Sequence, residues 1–261
     1  MTTLNYNSPL PLIALALITL LVSGCGTLLL APTPTPADTF QPTKTPTLET
    51  AFEKVSFTTE DGLELSGTLF GEGDIAVVLA HQGTVGANQY SWHPFARLIA
   101  EKGFTALAFD FRGCGQSEGT LQVGLLDKDM RAAIGFLHDR GFEHIVCMGA
   151  SMGGTTCLKT ALDTDLVGLA VIASTWSIGE SPTEIKVRPE DLSRLTMPKL
   201  FVTTEHDLYD VPAMITAIYE LSPDPKEIKV FPGRVHGTDL FKTYLGEEFR
   251  ELLVNFLEGL R

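Results

Sequence analysis

Hydrophobic residues follow two different rhythms along this chain. In "KVSFTTEDGLELSGTLF" (54–70) apolar and polar residues alternate on either side of Asp61-Gly62, the period of two half-buried strands joined by a hairpin turn. "DIAVVLAH" (74–81), "FTALAFDF" (104–111), "IVCMGAS" (145–151), "LVGLAVIAS" (166–174) and "KLFVTTEHD" (199–207) contain near-continuous apolar runs, as strands buried on both faces require. "EIKVFPG" (227–233) adds another strand. Amphipathic stretches of helical period separate them: "SWHPFARLIAEKG" (91–103) and "LLDKDMRAAIGFLHDRG" (125–141), both stopped by glycine, the segment after Ser151, residues 211–221 and the C-terminal stretch. This alternation predicts an α/β domain with a mostly parallel central sheet and helices on both faces. Right-handed crossovers then set the C-terminal ends of the strands along one edge, where open α/β sheets bind ligands. The interval from Ser174 to Lys199 is too short for a large cap domain. Its Trp176, Ile178 and Ile185 are expected to wall one side of an open, shallow pocket, which favours small or polymeric-end substrates.

The N-terminus has another character. "LIALALITLLV" (12–22) is shorter than the roughly 20 residues of a spanning helix and has the proportions of a signal-peptide core. The "VSGC" that ends it resembles the bacterial lipobox, which implies cleavage after Gly24 and lipid on Cys25. The segment before the run carries no Lys or Arg, so an ordinary secretory signal or an uncleaved anchor is the competing reading. "APTPTPADTFQPTKTPTLET" (31–50) follows, and its repeated prolines favour extended polyproline II, a semi-rigid spacer. The expected organisation is a signal peptide at 1–24, a lipidated N-terminus and Pro/Thr linker at 25–51, and a folded domain at 52–261. The implied location is the extracytoplasmic side of a cell membrane, held by a lipid anchor.

Composition narrows the partners. The 261 residues are 44% hydrophobic and 20% charged, the balance of a foldable domain. A net charge of −13 argues against nucleic acid as a partner, since phosphate contact wants a basic face. The four cysteines do not form a disulfide framework in a chain of this length; Cys147 and Cys157 are expected to be small buried hydrophobes. Neither C-x-x-C nor H-E-x-x-H occurs, and neither a metal nor a cofactor is expected. Oligomeric state is left open.

Candidate chemistry centres on Ser151. Gly149 and Gly153 flank it at the end of a buried strand, the pattern of a nucleophile held on a sharp strand-to-helix turn, with a helix N-cap serine as the competing reading. A serine hydroxyl needs a base, and His236 in "FPGRVHGTDLF" follows the last strand. An acid follows "KLFVTT", with Glu205, Asp207 and Asp210 as candidates and Asp210 suited to N-cap the helix at Val211-Pro212. Ser151, the acid and His236 all follow strand ends, so the topology gathers them on one rim.

In their order, "AHQG", "DFRGCGQS", "GASMGG", the acid segment "TTEHDLYDVP" and "VHG" resemble the α/β-hydrolase fold, over roughly Phe52 to Arg261. "HGTDLF" and the short interval before Lys199 are most similar to small exported esterases and dienelactone-hydrolase-like enzymes. The resemblance implies Ser151 as nucleophile, Asp207 as the acid and His236 as general base. It also implies an oxyanion hole built from the backbone N–H of Met152 and of a residue after His81. The family's usual "HG" is "HQ" here, which puts that donor at Gly83, with Gln82 as the fallback. His81 is expected to brace this loop, and Asp110 and Arg112 to fix the "DFRGCGQSEG" turn. The expected activity is hydrolysis of a small-molecule carboxylic ester through an acyl-enzyme. A peptidase or acyltransferase on the same residues is the alternative within enzymes. A tethered, non-catalytic binding domain is the alternative outside them.

Overall fold

The computed structural model of the protein describes residues 51–208 and 210–261. The signal peptide, Cys25 and nearly all of the Pro/Thr linker lie outside the described residues. β1 (Phe52–Thr58) and β2 (Glu64–Phe70) form an antiparallel hairpin in which Phe52 faces Phe70 and Thr58 faces Glu64. Gly62 takes φ 87° in its turn, a left-handed conformation that glycine adopts without a Cβ clash. The chain continues through β3 (Ile75–Ala80), α1 (His93–Glu101), β4 (Thr105–Phe109), α2 (Leu126–Asp139), β5 (His144–Ala150), α3 (Met152–Ala161) and β6 (Gly168–Ile172). After β7 (Ser177–Ile178) and β8 (Ile185–Lys186) come β9 (Lys199–Thr204), α4 (Val211–Leu221), β10 (Lys226–Phe231) and α5 (Gly246–Glu258).

Eight strands form one sheet in the order β1-β2-β4-β3-β5-β6-β9-β10. Every pairing from β4 to β10 is parallel, and the hairpin joins through an antiparallel β2–β4 contact. The fold is the mostly parallel, helix-covered sheet expected from the sequence, without a large cap. Side chains alternate between two cores. Ala76, Val78, Ile145 and Cys147 face the layer containing α2, α3 and α4, whereas Val77, Leu79, Val146 and Met148 face the layer of α1 and α5. Burial on both faces is why these strands read as unbroken apolar runs.

The 174–199 interval departs from expectation. It folds into the two-stranded pair β7–β8 and a short 3₁₀ turn at Pro189–Arg194. Ile185 is buried in the core and walls no open pocket, whereas Trp176 and Ile178 are half-buried and pack against that core on one side. Val187 N–H donates to Trp176 O (2.7 Å), extending the β7–β8 pair by one rung. A cleft nearby is lined by residues 179–184 and 121–125.

Cys147 and Cys157 also differ from expectation, because they are bonded to each other as a disulfide. β5 and α3 run back to back around Ser151, bringing the two Cα atoms to 5.8 Å, within disulfide range. Apolar burial is correct for both residues; the free-thiol state is not.

Candidate active site

Four strand ends and the loops after them build the site. β5 runs into Ser151, whose φ of 50° and ψ of −114° is a conformation that L residues rarely hold. Such strain persists where the surroundings enforce it. Ser151 N–H donates to Ile172 O (2.8 Å), and Ser174 Oγ donates to Ser151 O (3.0 Å). A Cβ at Gly149 would run into the backbone of Gly153, and one at Gly153 into the carbonyl of Ala80. The glycines around Ser151 therefore let α3 press against the ends of β5 and β3. Met152 is the first residue of α3, so its N–H has no carbonyl four residues back in the helix and is free for a ligand.

β9 and β10 supply a second part of the rim. His236 Nδ1 lies 2.6 Å from Asp207 Oδ1, and Leu208 N–H donates to the same oxygen (2.6 Å). The Asp207 side chain is fully shielded from solvent and the His236 ring nearly so. Glu205 and His206 are exposed, their N–H groups donating to Phe231 O and Gly233 O (both 2.9 Å). Asp210 is exposed at the N-cap position of α4, but its carboxylate accepts no capping hydrogen bond. Of the three acid candidates, the structure brings Asp207 to the imidazole. Thr204 Oγ1 donates to Val235 O (3.1 Å), tying the acid turn to the histidine loop.

Gly237 brings that loop to the Ser151 turn. Its φ is 56°, and an added Cβ would stand 3.4 Å from Ala150 Cβ and collide with Gln82 Oε1. His236 is thus one residue from a contact with the residue before Ser151. No hydrogen bond joins Ser151 Oγ to the ring among the described residues. Contacts of this kind are often long without substrate and tighten when it binds.

β3 delivers the third part. His81 is completely buried, with Nδ1 2.7 Å from Gln82 O and Nε2 3.2 Å from Phe111 N. Phe111 N–H is a donor, so Nε2 accepts and Nδ1 carries the proton that it gives to Gln82 O. Burial pushes the His81 pKa down, in keeping with this neutral tautomer and with a bracing role. A trans peptide holds its C=O and N–H antiparallel. Anchoring Gln82 C=O on the buried ring therefore turns Gly83 N–H away from it. Gly83 adjoins Met152: an added Cβ would lie 3.0 Å from Met152 Sδ and 3.3 Å from Met152 Cβ.

Asp110 and Arg112 hold the neighbouring turn. Asp110 accepts from Gln89 N–H (2.7 Å), Gln89 Nε2 (2.8 Å) and Gln116 N–H (3.0 Å). Arg112 is wholly buried and donates to Asp129 (2.8 and 2.6 Å) and Asp61 (2.9 and 3.1 Å). The Arg112 guanidinium keeps the Asp61 carboxyl well below the usual carboxylate range. Cys114, at the same turn, borders a cleft of about 450 Å³ with residues 82–88 and Leu121. Burial, followed by Asp110 and Asp129, pushes its thiol pKa up, the wrong direction for a nucleophile.

The sheet order, helix layers and strand-end rim define the α/β-hydrolase fold, and a family model described as "alpha/beta hydrolase fold" matches residues 75–189. The chain is a hydrolase with the α/β-hydrolase fold. It is 28% identical to the uncharacterized protein YfhR of Escherichia coli K12 over 78% of this chain and 80% of that protein. It is 30% identical to the human serine hydrolase BPHL over 39% of this chain and 35% of that one. The esterase Pf2001 of Pyrococcus furiosus superposes with a TM-score of 0.67 at 20% identity, covering 80% of this chain and 92% of the esterase. At that identity the likeness is one of fold.

Proposed function

We propose that this protein is a serine hydrolase that cleaves a small carboxylic ester with Ser151 as nucleophile, His236 as general base and Asp207 as the acid. The observation that carries the reading is the 2.6 Å contact between His236 Nδ1 and a fully shielded Asp207 carboxylate, on the rim that also holds the strained Ser151 turn. Asp207 accepts the Nδ1 proton, which leaves Nε2 unprotonated and able to take the Ser151 proton. Ser151 Oγ attacks the ester carbonyl while His236 removes its proton. The carbonyl oxygen becomes an oxyanion that accepts from the N–H groups of Met152 and Gly83. Collapse of the tetrahedral species breaks the bond to the alcohol, which leaves with the proton held by His236. Water then attacks the acyl-enzyme, giving its proton to His236, and the acid departs as Ser151 regains a proton.

"HGTDLF" and the short 174–199 interval support a place beside small exported esterases and dienelactone-hydrolase-like enzymes. We further propose export and lipid anchoring through Cys25, with the domain bounds 1–24, 25–51 and 52–261. The short apolar run, "VSGC" and the Pro/Thr spacer support it. So does the Cys147–Cys157 disulfide, since such bonds persist in oxidising compartments.

Fluorophosphonate labelling provides the test of the catalytic reading. The wild-type protein is expected to be labelled at Ser151, and Ser151→Ala is expected to lose labelling and ester hydrolysis by several orders of magnitude while folding normally. Ester hydrolysis surviving in Ser151→Ala refutes the assignment. An acyl-ester panel run beside matched amides separates an esterase from a peptidase.

A further inference from the structure

Gln82 stands where the resembled family has glycine, and its side chain has its own partners. It is 3% exposed. Its Oε1 accepts from Thr238 N–H (2.9 Å) and Thr238 Oγ1 (3.1 Å). Its Nε2 lies 3.4 Å from both Thr84 Oγ1 and Asp239 Oδ2, longer contacts. Main chain and side chain of one residue are thus anchored to different parts of the site: Gln82 O to the buried His81 ring, Gln82 Oε1 to the loop carrying His236. Gly237 completes the fit, because any Cβ there would occupy the space of Gln82 Oε1.

We propose that Gln82 is a positioning residue that fixes the oxyanion donor Gly83 and the base His236 relative to each other. The inference rests on the serine-hydrolase reading above. A buried glutamine with satisfied polar atoms is most often a structural brace. Here its own main chain leads directly into Gly83 and its side-chain partner Thr238 lies two residues from His236, so the structure it braces is the distance between the donor that meets the oxyanion and the base that takes the Ser151 proton. Those groups act together in the transition state, when the oxyanion forms as the imidazole takes the proton. A shift of about 1 Å between such groups costs on the order of 100-fold in rate. Loss of the tie is therefore expected in kcat, with substrate binding little changed.

Gln82→Leu removes both polar atoms at nearly constant volume, and Gln82→Glu restores an acceptor for Thr238. With 4-nitrophenyl acetate, Gln82→Leu is expected to lower kcat about 30- to 100-fold, with KM within about threefold of wild type. The inhibition constant of a trifluoromethyl ketone, which mimics the tetrahedral species, is expected to rise in step with the loss of kcat/KM. Gln82→Glu is made together with Asp239→Asn, so that its second oxygen meets an amide and not a carboxylate, and is expected to recover at least about tenfold of that loss, which a role in stability alone would not produce. Should Gln82→Leu fail to fold, Gln82→Met and Thr238→Val carry the same sign of effect, smaller for Thr238→Val, which keeps its backbone donor. Unchanged kcat in the folded variants, or a rise in KM at constant kcat, overturns the proposal. Labelling of the wild-type protein at Ser151 is read separately: if it fails, the underlying serine-hydrolase reading falls, whatever Gln82 does.

Discussion

Asp207→Asn tests how much of the chemistry depends on a charge behind the imidazole. The substitution keeps an oxygen able to accept from His236 Nδ1 and nearly the same volume, so the fold should survive it. On the proposed mechanism it removes the negative charge that the imidazolium meets once Ser151 has lost its proton. The bonded atoms are 2.6 Å apart, and the Asp207 side chain is fully shielded from solvent. Unit charges separated by that distance, or by the roughly 4 Å between the charge centres, attract by about 4–6 kcal/mol at an effective dielectric of about 20. In the proposed mechanism the imidazolium forms as Ser151 loses its proton, so this energy enters the barrier, equivalent to a factor of about 10³–10⁴. Steady-state hydrolysis of a soluble 4-nitrophenyl ester is expected to show kcat/KM reduced by that factor with KM nearly constant, and the fluorophosphonate labelling rate should fall alongside it. The exposed neighbours Glu205→Gln and Asp210→Asn should change kcat/KM by less than about twofold. Asp207→Asn retaining more than a tenth of wild-type kcat/KM, or either neighbour matching its loss, would refute the assignment.

Other expectations concern stability and processing. Arg112→Met leaves the wholly buried Asp129 without its cation and should cost about 3–5 kcal/mol in urea unfolding at pH 7; a loss below about 1 kcal/mol would show that the pair is not an isolated buried one. Burial, with Lys226 nearby, brings the Lys199 pKa down from 10.5 to about 8, its Nζ donating to Leu195 O and Met197 O. Between those values the unfolded chain binds more protons, so stability should rise with pH from 8 to 10.5, by about 3 kcal/mol at most. Lys199→Met should lack that rise, and parallel wild-type and variant curves would contradict the shift. Non-reducing peptide mapping should recover Cys147 and Cys157 in one cross-linked fragment, whereas two alkylated thiols would disprove the bond. Cys25→Ser should lose lipid and stable anchoring while the domain keeps its hydrolase activity; mass spectrometry showing an unmodified Cys25 at the mature wild-type N-terminus would defeat the lipoprotein reading.

The order of strands and helices was legible in the sequence because hydrophobic period is a local property. A strand buried on both faces must read as an apolar run, and a helix with one dry face must repeat at 3.6 residues. Right-handed crossovers turned that order into a shared rim for Ser151, the acid and His236 without any knowledge of contacts. The glycines at 149, 153 and 237 were equally visible, since each serves a backbone approach that a Cβ would block. Tertiary structure decided which acid turns inward. Glu205, Asp207 and Asp210 lie within one short turn, and hydrogen bonds from Glu205 and His206 to the exit of β10 rotate Asp207 toward the ring. The resemblance to a family had selected that residue; the local sequence alone could not. An apolar residue such as Ile185 suits a pocket wall by its sequence, but which surface it meets is set by where the chain folds back, and here that is the core. The Cys147–Cys157 bond and the link from Gln82 to Thr238 share that origin. Both depend on two segments being brought together by the sheet, the second across most of the domain, and no periodicity records a contact between elements.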